Sequence, residues 1–172
     1  MAHIYLLDAN VFIEAKKRYY AFDLVPGFWD SLIINHQHSI IFSIDKVNNE
    51  IKDYGDELSD WVSRSMPSTC FIATNISPIV SFYGDMQRWA ILNTQFTSAA
   101  KAEFAEERNA DCWLVACAKH NDWTLVTEEK LNLSKKNKVL IPNVCKTFGV
   151  RYLDTFAMLK ELGVKLILDG KK

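Results

Sequence analysis

Short apolar runs, each separated from the next by stretches with helical spacing, set the fold class of this 172-residue chain. Residues 3–7 (His-Ile-Tyr-Leu-Leu), 39–43 (Ser-Ile-Ile-Phe-Ser), 123–127 (Trp-Thr-Leu-Val-Thr) and 138–141 (Lys-Val-Leu-Ile) read as strands. Their apolar residues are mostly continuous rather than alternating, as expected of strands covered on both faces. Helices are predicted at 11–17, with Asp8 or Asn10 as cap, and at 26–34. Another runs from about residue 44 and carries Val47, Glu50 and Ile51, with Ser43 as cap. Pro78 opens one in which Ile79, Phe82, Met86 and Trp89 recur at helical spacing. Residues 98–107 are rich in Ala and Glu, and Asn109 caps a helix through 118. Residues 142–146 form one helical turn, and Asp154 caps a last helix over 155–162 that Gly163 closes. Strands that alternate with helices predict an α/β fold around a mostly parallel sheet. In such sheets ligands bind beyond the carboxyl ends of the strands.

Composition narrows the class further. Hydrophobic residues make up 49% and charged residues 24%, which excludes disorder or a coiled coil as a description of the whole. The length fits a single domain over 1–172, with a long helical insertion at about 53–109. No run approaches the roughly 18 apolar residues of a membrane span, and residues 4–7 are too short for the apolar core of a signal peptide. Cys70, Cys112, Cys117 and Cys145 form no CxxC pair and read as reduced thiols. A cytoplasmic protein with no membrane association is the expectation. Net charge is −1, but residues 1–129 hold 10 Lys+Arg against 18 Asp+Glu, and residues 130–172 hold 10 against 3. That asymmetry means either an acidic site beside a basic surface for a polyanion or an uneven scatter of surface charge.

Carboxylates fall at telling places on this frame. Asp8 directly follows the first strand, Glu50 lies about two turns into the helix after the second, Asp111 is in the first turn of a later helix, and Glu128 and Glu129 follow the strand ending at Thr127. Singly, each has a plain structural explanation as a cap or a solvated charge. Together, four segments each deliver a carboxylate, three of them at or near the sheet's carboxyl edge, and like charges gathered there raise one another's pKa unless a cation compensates. Hard oxygen donors select Mg²⁺ or Mn²⁺ over zinc, and a carboxylate-bound Mg²⁺ is a device for phosphoryl transfer.

The same segments resemble the PIN-domain nucleases. Residues 5–13 (Tyr-Leu-Leu-Asp-Ala-Asn-Val-Phe-Ile) are similar to the family's opening strand and acid. Residues 43–51, ending in Glu50-Ile51, resemble its second acidic motif, residues 110–118 its third, and residues 123–129 its fourth. Residues 141–149 resemble the segment that often follows. The resemblance spans nearly the whole chain and is greatest to small standalone prokaryotic members similar to the toxins of toxin–antitoxin pairs. It implies a three-layer sandwich with a central, mostly parallel sheet of four or five strands. It also implies a metal-dependent endoribonuclease that leaves 5′-phosphate and 3′-hydroxyl ends, with RNA as substrate and an antitoxin as partner. By the same resemblance, Asp8, Glu50 and Asp111 hold a first Mg²⁺ or Mn²⁺, and Glu129 serves a second ion or orients the attacking water. Asn10 and Thr127 support these acids. Two departures are a Glu at 129 where the family more often has Asp, and the long insertion.

Other residues carry less. Lys16, Lys17 and Arg18, followed by Tyr19 and Tyr20, read either as a phosphate-and-base subsite or as a solvated helix end. His36 and His38 read as solvated loop residues, and His120 as a helix-end histidine. Cys112 and Cys117 are expected to face different ways on one helix. Two alternatives to the nuclease remain. One is a non-catalytic binding module. The other is a phosphatase of the haloacid-dehalogenase kind, which needs an acid where Asn10 stands. With Trp61, Phe82, Met86, Trp89 and Phe96, the insertion at about 53–109 carries more apolar bulk than a solvated excursion needs, so part of it is expected to cover the sheet and part to form a surface for a homodimer or an antitoxin.

Overall fold

The computed structural model describes residues 3–167. Five parallel strands form its centre in the order β3-β2-β1-β4-β5. They are β1 (Tyr5–Leu7), β2 (Ile41–Ile44), β3 (Phe71–Ile72), β4 (Thr124–Val126) and β5 (Tyr152–Leu153). The helices are α1 (Ala9–Glu14), α2 (Pro26–Gln37), α3 (Asp45–Asp53), α4 (Glu57–Arg64), α5 (Ser77–Leu92), α6 (Ser98–Phe104), α7 (Ala110–Asn121), α8 (Ile141–Phe148) and α9 (Thr155–Glu161). The expected α/β sandwich, with a parallel sheet flanked by helices, is therefore the observed one. No helix among the described residues is long and apolar enough to cross a membrane.

The central strands are apolar because the helices leave them no solvent-facing side. Leu6, Leu7, Ile41, Ile44, Leu125 and Val126 are fully buried. Ser43 is buried as well, and its hydroxyl donates to the Leu7 carbonyl at 2.6 Å. It ties β1 to β2 at their carboxyl ends and does not cap α3, whose first turn has no side-chain cap from the preceding residue. Asn109 and Asp154 do cap α7 and α9, accepting from the Asp111 and Ala157 amides.

Two strands differ from expectation. Residues 138–141 form no strand: the Ile141 amide donates to the Glu129 carboxylate at 2.8 Å instead of to a neighbouring chain. Pro142 then opens α8, which runs to Phe148 rather than for a single turn. The outer strands β3 and β5 were not foreseen, since two residues give no readable period. β3 lies inside the 53–109 segment, which is otherwise helical and packs back on the domain: α5 lies on α7, with Tyr83 stacked on Trp113 at 3.9 Å. After α1 the chain widens into a π-type turn over Ala15–Tyr19, where the Tyr20 amide reaches the Ala15 carbonyl.

The bulky residues of the long segment face inward. Met86 and Phe96 are buried, and Trp61, Phe82 and Trp89 are partly buried against the core. Trp61 meets Trp29, and Trp89 meets Phe96 and Phe148. These five side chains belong to the part of the segment that packs on the core. The exposed apolar residues of that segment are others, among them Ile76, Val80, Ile91 and Leu92.

Candidate active site

Asp8 follows β1 and occupies the N-cap position of α1, yet its side chain caps nothing. It is held by Thr127, the residue after β4, whose hydroxyl donates to Asp8 Oδ2 at 2.8 Å. The same hydroxyl accepts from Asn10 Nδ2 and from the Glu129 amide, both at 3.2 Å. Asn10 in turn accepts the Glu128 amide at 3.0 Å. One buried threonine therefore aligns the ends of the two central strands, and Asp8 is 4% exposed within that network.

The two glutamates after β4 diverge. Glu128 turns to α9, where Oε1 accepts the Thr155 amide and hydroxyl. Glu129 turns inward: Oε2 accepts the Ile141 amide, and Oε1 lies 2.6 Å from the Lys138 ammonium. Lys138 also approaches Asp111 Oδ2 at 3.8 Å. Glu50, from α3, lines a cleft of about 990 Å³ together with Asp111 and Lys138. Two of the four acids, Glu129 and Asp111, thus lie within 4 Å of one lysine, and Glu50 lines the same cleft as that lysine.

Burial dominates their electrostatics. It raises Asp8 well above the usual carboxylate range; Asp111, Glu129 and Glu50 add to the rise and the Thr127 hydroxyl opposes it. Asp111 is pushed up to about 7, again first by burial, with Lys138 pulling it down and Glu129 and Glu50 raising it. Glu50 is raised by burial against the pull of Lys138. For Lys138 the balance is reversed: burial would lower its pKa, but Asp111, Glu129 and Asp8 together raise it above that of an ordinary lysine.

Buried, mutually repelling carboxylates are in kind the donor set of a hard divalent cation. Among the described residues no three acidic, histidine or cysteine side chains form a ready-made cage. The cation that the chain itself places among these acids is Lys138. Sequence reading missed it, because it stands in a run of lysines (135, 136, 138) that looks like solvated charge.

The remaining residues of interest lie elsewhere or serve structure. Lys16 turns away to Asp56 at the start of α4, 2.6 Å distant. Lys17 is exposed, and Arg18 pairs with Glu14. Arg18, Tyr19 and Tyr20 line a smaller cleft with Phe156. His36 is buried rather than solvated, bridging the Ile41 carbonyl and the Thr69 hydroxyl at 2.9 Å each. All four cysteines are free and buried, Cys112 and Cys117 included.

A family model described as a domain of unknown function (DUF4411) matches residues 5–166. This chain belongs to the DUF4411 family. Among solved structures, the DUF4411 chain is similar to FitAcB from Neisseria gonorrhoeae, at 17% identity and a TM-score of 0.52, over 87% of this chain and 96% of that one. It is likewise similar to a structure of FitAB bound to an IR36 DNA fragment, at 16% identity and a TM-score of 0.54, over 88% and 94%. At this identity the likeness is one of fold, and the fold is PIN-like. No curated protein matches the DUF4411 chain.

Proposed function

We propose that this chain is a metal-dependent endoribonuclease that hydrolyses RNA phosphodiester bonds and acts as the toxin of a toxin–antitoxin pair. One observation carries the reading: Asp8 lies close enough to Asp111, Glu129 and Glu50, acids from three other segments, to be raised by their charge, and burial raises Asp8, Asp111 and Glu50. Such a cluster is costly in a metal-free fold and suited to a divalent ion. Asp8, Glu50 and Asp111 would hold Mg²⁺ or Mn²⁺, which when bound activates water and offsets charge on the phosphate.

The chain's own groups prepare that site. Thr127 and Asn10 fix Asp8, so the carboxylate does not have to be ordered on binding. Lys138 puts a positive charge at the edge of the 990 Å³ cleft, where an RNA phosphate would enter. A phosphatase of the haloacid-dehalogenase kind is disfavoured: Asn10 has no proton to exchange as an acid/base, and both ends of its amide are engaged. A non-catalytic module leaves the burial of these acids without a purpose. The protein partner, an antitoxin, and a cytoplasmic setting belong to the same reading. They are supported by the sequence resemblance and by the fold shared with the FitAB structures.

The test is cleavage of a structured RNA by the purified chain with Mg²⁺, Mn²⁺ or EDTA, with the product ends mapped. Cation-dependent internal cleavage leaving 5′-phosphates is expected. Cleavage that persists in EDTA, or none with either ion, contradicts the proposal.

A further inference from the structure

The surroundings of Glu129 do not suit a metal ligand. One carboxylate oxygen accepts the Ile141 amide at the start of α8, at 2.8 Å, and the other lies 2.6 Å from the Lys138 ammonium. The residue's own amide is engaged by Thr127. Its side chain is 13% exposed, so no solvent shell stands ready to replace these partners. Lys138 reaches past Glu129 to Asp111, 3.8 Å away. It therefore occupies the ground between Glu129 and Asp111, where a second ion would need its carboxylates. A lysine ammonium is a compact point charge that binds phosphate oxygens well.

We propose that Lys138 is the built-in second cation of this site. The site then takes one divalent ion, at Asp8, Glu50 and Asp111, and Lys138 contacts the substrate phosphate from the opposite side. Glu129 is a positioning residue that holds Lys138 and does not ligate metal. This departs from the expectation, drawn from resemblance, that Glu129 serves a second ion. It rests on the nuclease reading for the first ion, and it gives Lys138 a role that its sequence neighbourhood does not suggest.

Calorimetric titration with Mn²⁺ at pH 8 tests the inference without an activity readout. Wild type should bind one ion per chain. Lys138→Met frees Glu129 and Asp111 from their resident charge and should bind two. Glu129→Gln should keep the single ion, with affinity reduced about tenfold as for a neighbour of the ligands, whereas Asp111→Asn should lose it. Should Lys138→Met fail to fold by circular dichroism, wild type and Glu129→Gln decide the matter between them. Two ions in wild type, one ion in folded Lys138→Met, or loss of binding in Glu129→Gln overturns the proposal. Two ions in a wild type that cleaves RNA only with metal overturns the lysine's role alone. No ion at all overturns the nuclease reading with it.

Discussion

Thr127 Oγ1 donates to Asp8 Oδ2 at 2.8 Å, joining residues 119 positions apart in the chain. The bond links the carboxyl ends of the neighbouring strands β1 and β4. Because it favours the ionised form of Asp8 against a burial that opposes it, it serves both the fold and the site. Thr127→Val keeps the shape but leaves Asp8, Asn10 and the Glu129 amide each short of a partner. A loss of about 1–3 kcal/mol in unfolding free energy is expected, together with weaker Mg²⁺ binding, whereas Thr127→Ser should retain most of both. Denaturant melts and metal titration of the two variants check this.

Stability should also depend on pH in a definite direction. Asp111 is raised to about 7 in the folded chain, against an ordinary value of 3.8, and Asp8 is raised too. Between those values the unfolded chain has released protons that the folded chain still holds, so the stability from these groups is complete below about pH 4 and is lost as pH rises through 7. In EDTA the melting temperature should fall from pH 5.5 to pH 8. Millimolar Mg²⁺ should restore more at pH 8 than at pH 5.5, because the ion binds the ionised acids. A melting temperature that rises with pH in EDTA, or that ignores Mg²⁺ at pH 8, goes against this assignment.

The adjacent glutamates should separate cleanly by mutation. Glu128 anchors the start of α9 through Thr155, so Glu128→Gln should cost about 1 kcal/mol of stability and leave cation-dependent cleavage within about threefold of wild type. Glu129→Gln should act on cleavage instead, by releasing Lys138. Equal effects of the two substitutions on turnover would show that their divergence has no functional consequence.

Lys16 offers a contrast. Its ammonium is spent on Asp56 at a half-exposed pair, so Lys16→Ala should lower stability by less than about 1 kcal/mol and leave RNA affinity unchanged in a filter-binding assay. A clear loss of RNA affinity would return Lys16 to the substrate surface.

The fold was legible because the three inner strands are mostly apolar runs and later helices carry recognisable starts at Asn109 and Asp154. The edge strands β3 and β5 were not, since each is two residues long and is defined by its neighbour rather than by its own pattern. The 138–141 run misled for a related reason. Its apolar residues resemble a strand, but the backbone donor at Ile141 and the Lys138 side chain are both claimed by Glu129, a partner invisible in local sequence. Three of the acids announced themselves by position: Asp8 at a strand end, Glu50 in the helix after one, and Asp111 in the first turn of a capped helix. The choice between Glu128 and Glu129 depended on which way the chain turns after Thr127, and only the three-dimensional structure supplies that.

Asp8→Asn tests the central claim most directly. It keeps shape and hydrogen-bonding capacity while removing one negative charge from a 4% exposed site. RNA cleavage by wild type and variant is measured with Mg²⁺, Mn²⁺ and EDTA, beside a melt of each metal-free protein. Wild-type cleavage should require the cation, turnover of the variant should fall by at least about 10²-fold, and its metal-free stability should not fall. A variant as active as wild type, or wild-type cleavage that survives EDTA, would contradict the assignment of Asp8 and its neighbours to a metal-dependent nuclease site.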